Sequence, residues 1–116
     1  MTDCLFCGII ARTVPGEIVH ETERTVAFRD IAPVAPVHVL VVPRTHVENA
    51  ACIGAEHADD LAAMLIAARE VAEMEGIADP ERGYRLVFNV GADSSNSVGH
   101  LHLHVIGGRR MSWPPG

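Results

Sequence analysis

Residues 100–106 run His-Leu-His-Leu-His-Val-Ile, three imidazoles in strict alternation with aliphatic side chains. A period of two is the strand period, so His100, His102 and His104 are expected on one face of a strand. Leu101, Leu103 and Val105 are then expected on the other face, against a core. Three imidazoles on a face that is not core point to proton, phosphoryl or metal chemistry. A strand rises about 3.3 Å per residue, which separates the Cα atoms of His100 and His104 by roughly 13 Å. One metal ion can take two neighbouring rings, but hardly all three from a straight strand. The rings are therefore expected to do different jobs. His102, flanked on both sides, is best placed as a nucleophile. A neutral imidazole can attack phosphorus without first losing a proton, provided its other nitrogen donates to a carbonyl or carboxylate. The preceding loop carries Asn96 and Ser97, whose neutral donors suit an α-phosphate, and Asn89 is a third candidate donor.

Cys4 and Cys7 form a second group with chemical potential, a Cys-x-x-Cys close to the N-terminus. That spacing is compatible with zinc, with a redox pair, or with two small side chains packed in a first helix. A redox motif should follow a strand within a βαβ pattern, and no such pattern is visible. Cys52, His20 and His57 read as structural or solvated.

The chain that must position these residues has 116 of them, 48% hydrophobic, with a formal net charge of −6. That is enough for one domain, residues 1–116, and too little for two cores. No run of Lys and Arg is present, so a groove tracking a nucleic acid polymer is not expected; a small phosphate held by neutral donors is. No apolar stretch approaches the ~20 residues of a membrane span. Met1-Thr2-Asp3-Cys4 lacks the basic and apolar regions of a signal peptide, and an odd number of cysteines suits a reducing compartment. A cytoplasmic location is expected.

Cys7 to Arg12 predicts a short helix before Pro15-Gly16. Ile18–Glu21 and Thr25–Arg29 predict paired strands across a polar turn. A loop punctuated by Pro33 and Pro36 leads to a central strand, His38–Val42. Glu56 to Glu75 predicts the one long helix, with Leu61, Met64, Leu65, Ala68 and Ala72 at three- and four-residue spacing and Gly76 as its stop. Arg85–Val90 predicts a fourth strand, and the histidine strand follows the loop 91–99. The expected class is α+β: a five-stranded antiparallel sheet with one long and one short helix.

The segment His100-Leu101-His102-Leu103-His104-Val105-Ile106 resembles the signature of the histidine triad superfamily of nucleotide hydrolases and transferases. Four further segments resemble its Hint branch: Cys4-Leu5-Phe6-Cys7-Gly8-Ile9-Ile10, Ala27-Phe28-Arg29-Asp30-Ile31, Ala35-Pro36-Val37-His38-Val39-Leu40, and the tail from Gly107-Gly108-Arg109 to Trp113-Pro114-Pro115-Gly116. The resemblance implies that His102 forms a transient nucleotidyl-histidine. It implies that His104 contacts the scissile phosphate and leaving group, and that the His100 carbonyl orients His102. It also implies that Asp30 holds the ribose hydroxyls, that Ile31, Phe6 and Ile9 or Ile10 wall the purine, and that His38, Asn89 and Ser97 belong to the same nucleotide pocket.

The implied activity is hydrolysis of purine nucleoside 5′-phosphoramidates, with no cofactor for the chemistry. A structural zinc on Cys4, Cys7, His46 and His100 and a homodimer joined through its sheets, with Trp113 as a cross-subunit contact, are implied as well. The alternatives are a dinucleotide hydrolase or nucleotidyltransferase of the same superfamily, and a non-catalytic, zinc-stabilised nucleotide-binding module. Asn96 stands where many relatives carry the longer Gln, and Gly99 where an aromatic residue is common. An altered leaving-group preference is expected from both.

Overall fold

The computed structural model describes residues 4–116. In chain order it contains α1 (Leu5–Ile10), β1 (Ile18–Glu21), β2 (Thr25–Arg29), β3 (Val37–Pro43), α2 (Ala58–Met74), β4 (Tyr84–Val87) and β5 (Leu103–Gly107). Three single 3₁₀ turns lie at Ala50–Cys52, Ala55–His57 and Ala92–Ser94. The strands form one antiparallel sheet in the order β1-β2-β3-β5-β4. This is the α+β arrangement expected from the sequence, with β1 and β2 at the expected bounds.

The sheet is covered on both faces, which explains why β3 is buried at all seven positions. Its alternate side chains go to opposite sides. Val37, Val39 and Val41 join Ala27, Leu103 and Val105 in a core closed by α2. Leu40 and Val42 join Val26 and Phe28 in a second core closed by Phe6 and Ile9 of α1. The histidines of residues 100–104 therefore point to the α1 side, because Leu101, Leu103 and Val105 are committed to the α2 side.

Helix α2 buries Met64, Ala67, Ala68, Val71 and Ala72, the i, i+3, i+4, i+7, i+8 stripe of an amphipathic helix. Its face is rotated from the expected one: Leu65 is exposed, together with Ile66. The small side chains Ala67, Ala68 and Ala72 let the helix backbone approach the sheet closely. The helix ends in a Schellman motif. Gly76 adopts φ 75°, its N–H donates to Glu73, and the N–H of Ile77 donates to Ala72 over 3.0 Å.

Of the bounds that differ from expectation, three do so for identifiable reasons. Helix α1 starts at Leu5 rather than Cys7, because the Cys4 thiol accepts the Cys7 N–H and caps it. The last strand starts at Leu103, not His100. Its partner β3 ends at Pro43, whose carbonyl takes the His100 ring N–H, while the His100 carbonyl accepts from the His102 ring. Over 100–102 these ring hydrogen bonds, with the Leu101 N–H donating to the Val47 carbonyl, replace the ladder. Strand β4 stops at Val87 instead of Val90 because its last partner is His104, near the start of β5.

Candidate functional site

A cavity of about 420 Å³ opens on the α1 side of the sheet, within the range of small-molecule sites. Its apolar wall comes from α1 and β2, through Phe6, Ile9 and Phe28, and from Ile31 in the loop that follows. Its polar end brings together Asp30, His38, Asn89, Ser97, His102 and His104. Residues far apart in sequence meet because β3 pairs with β5: His104 lies opposite Leu40, with His38 on the diagonal. His100 is fully buried behind the cavity, and its carbonyl reaches the His102 ring. One expected residue is placed elsewhere. Asn96 is not among the residues lining the cavity, and its Oδ1 is buried without a hydrogen-bond partner. Ser95 lines the cavity instead, although nothing in its sequence context singled it out.

The hydrogen bonds fix the ring protons. The His102 Nδ1 lies 2.7 Å from the His100 carbonyl, which can only accept, so Nδ1 carries the proton. The Nε2 lone pair of a neutral His102 is therefore free. Phe6 packs edge-on against this ring, with centroids 5.1 Å apart. A second chain starts at the backbone. The Val34 N–H donates to His38 Nδ1 over 3.1 Å, so the proton of a neutral His38 is on Nε2. That Nε2 lies 2.8 Å from His104 Nδ1 and donates to it, which leaves the His104 proton on Nε2. The side-chain amide of Asn89 lies 3.5 Å from that atom. One ring thus offers a lone pair and its neighbour a donor, 5.0 Å apart between centroids.

Burial keeps His104 and His38 neutral. Burial, reinforced by His102 and His38, pushes the His104 pKa down to about 4, against the opposing pull of Asp30. Burial also lowers His38, again opposed by Asp30, 3.4 Å away. Arg29 is the one Lys or Arg lining the cavity among the described residues, and it is already committed. It forks onto Glu75 at 2.7 and 3.0 Å and reaches Glu17 at 3.0 Å. An anion bound here must be met by neutral donors.

Behind the cavity, Cys4, Cys7, His46 and His100 bring four ligand atoms within 4.8 Å of one another. His100 Nε2 is 2.9 Å from the Pro43 carbonyl and must donate to it, so Nδ1 turns a lone pair toward the cluster. It lies 3.3 Å from the Cys4 sulfur, 3.5 Å from that of Cys7 and 3.1 Å from His46 Nδ1. Two thiolates and two imidazoles at these separations fit a tetrahedral zinc, with Pro43 fixing the ligand tautomer. By the same reasoning the Asp30–His38–His104 group fits a cation poorly, since His38 Nε2 carries its proton.

The depressed pKa values predict how stability depends on pH. Between pH 6.5 and about 4 the unfolded chain binds a proton at residue 104 that the native chain does not. Stability should fall as pH drops through that window and level off, for this group, below it. Thermal midpoints at pH 7 and pH 5 for the wild type and His104→Gln provide the check: the variant should lose less between the two. An equal loss would remove His104 from the account.

A profile of the HIT domain matches residues 11–111. The chain is 41% identical over 116 residues to the 14 kDa zinc-binding protein of Brassica juncea, covering 98% of this chain and all of that one. It is 43% identical over 114 residues to an uncharacterised HIT-like protein of Synechococcus elongatus, covering 98% and 97%. Among solved structures it is similar to a HIT family hydrolase from Legionella pneumophila, with a TM-score of 0.93 and 43% identity, covering 98% of this chain and 100% of that one. A HIT family hydrolase from Clostridium thermocellum superposes with a TM-score of 0.90 at 44% identity, covering 97% and 96%. The fold, the pocket and these matches agree, and the chain belongs to the HIT domain family.

Proposed function

We propose that this chain, a single HIT domain of the Hint type, is a cytoplasmic hydrolase of purine nucleoside 5′-phosphoramidates. One observation carries the reading: the His100 carbonyl holds the proton of His102 on Nδ1, so the Nε2 lone pair is available in a pocket of nucleotide size. The purine lies against Ile31, Phe6 and Ile9, and Asp30 takes the ribose hydroxyls. Asn89 and Ser97 donate to the phosphate. His102 Nε2 attacks phosphorus, the P–N bond to the amine breaks, and the amine leaves with a proton from solvent. His104 Nε2–H supports the charge that develops on phosphate and leaving nitrogen. Water then attacks the nucleotidyl-histidine and gives up its proton to solvent, and His102 departs as a neutral imidazole still holding its Nδ1 proton. Asn96, half-buried and not among the residues lining the cavity, would act only through the shape of its loop.

The names of the plant relatives and the donor set behind the pocket support a structural zinc on Cys4, Cys7, His46 and His100. When bound it would supply a cross-link between the start of α1 and the histidine segment. The Leu86 side chain is exposed on β4, an outer strand of the sheet, and Leu65 and Ile66 are exposed on α2. These exposed apolar side chains, together with the free edge of β4, support a homodimer.

An adenosine phosphoramidate bearing a fluorescent amine tests the chemistry. Wild-type protein should release the amine, and His102→Ala should lose at least about 10³-fold in kcat, the scale on which loss of a nucleophile is felt. No turnover by the wild type, or wild-type turnover by the variant, refutes the reading. Protein purified in zinc-free buffer should retain close to one equivalent of zinc, and Cys4→Ser far less. Equal metal content in both would remove the zinc site. In sedimentation velocity the wild type should run as a dimer and Leu86→Glu as a monomer; a monomeric wild type would sink the dimer.

A further inference from the structure

Ser95 is one of two non-glycine residues with positive φ among those described; the other, Arg12, ends α1. Its backbone sits at φ 68°, ψ 25°, the left-handed region that disfavours a side chain. Such a residue persists where the surroundings enforce it, and often where its side chain is used. The turn that encloses it is secured by other groups. The Ser94 hydroxyl donates to the Gly91 carbonyl over 2.7 Å, and the Ser95 N–H donates to Ala92 over 2.9 Å. The Ser95 hydroxyl has no hydrogen-bond partner among the described residues, and the residue is exposed and lines the cavity with Asn89, Ser97, His102 and His104.

The charge of the cavity gives this hydroxyl a task. Arg29 is neutralised by Glu75 and Glu17, and Asp30 adds a negative charge of its own to the lining. Among the described residues a phosphoryl group entering the pocket finds no free cation, so each neutral donor carries weight. We propose that the Ser95 side chain is a specificity-determining donor to the phosphoryl end of a bound nucleotide, and that the left-handed backbone is retained because it aims the hydroxyl into the cavity. The proposal rests on the nucleotide reading above and adds to it a side chain from the loop that precedes β5.

Calorimetric titration with AMP and with adenosine separates this role from a structural one, using wild type, Ser95→Gly and Ser95→Ala. Glycine relieves the left-handed backbone, so Ser95→Gly should melt at a higher temperature than the wild type. Both variants should bind AMP about tenfold more weakly, the loss expected for one hydrogen bond to a charged group, with adenosine affinity unchanged. Unchanged AMP affinity in both variants overturns the proposal, as does a parallel loss for adenosine. A loss confined to Ser95→Ala assigns the effect to backbone strain and overturns it too. If the wild type binds neither ligand, the nucleotide reading itself fails, and the Ser95 proposal falls with it.

Discussion

The rest of the site depends on one buried imidazole. His100 has no solvent exposure and three separate commitments. Its Nε2–H is held by Pro43 at the end of the central strand, and its Nδ1 faces the cysteines and His46. Its carbonyl holds the proton of His102. The same residue therefore ties the sheet, the candidate metal cluster and the candidate nucleophile together. A substitution that freed any one commitment would disturb the other two, since a buried polar ring left unpaired costs about 1–3 kcal/mol.

Because Pro43 and the His100 carbonyl can only accept, and the Val34 N–H can only donate, the ring protons follow from backbone positions alone. His102 and His104 are chemically identical side chains two residues apart, yet one presents a lone pair and the other a donor. Burial adds the second condition by keeping His104 and His38 uncharged near neutral pH. With Arg29 tied to two glutamates, the pocket offers an anion hydrogen-bond donors rather than net charge. That is consistent with an acidic chain recognising a phosphate.

Much of this was legible in the alternation of residues 100–106, which sent Leu101, Leu103 and Val105 to one core and the imidazoles to the other side. The strand bounds at Ile18–Glu21 and Thr25–Arg29 were legible from β-branched density and a polar turn. The start of β5 was not, because strand periodicity says nothing about a ring nitrogen taking the Pro43 carbonyl from the ladder. The buried face of α2 was misplaced at Leu65, because alanine spacing decides how closely a helix approaches and hydropathy alone does not register it. Ser95 was missed for a related reason: a serine in a polar loop carries no mark of its backbone conformation.

The sequence by itself determined that the chain has two sheet faces, three imidazoles on one of them, and donors rather than cations nearby, because side-chain type and period are local properties. Which imidazole presents a lone pair, which presents a donor and which is withdrawn from the cavity was decided only by tertiary structure. Those roles depend on where single carbonyls and N–H groups from Val34, Pro43 and His100 lie, and strand pairing across some sixty residues puts them there.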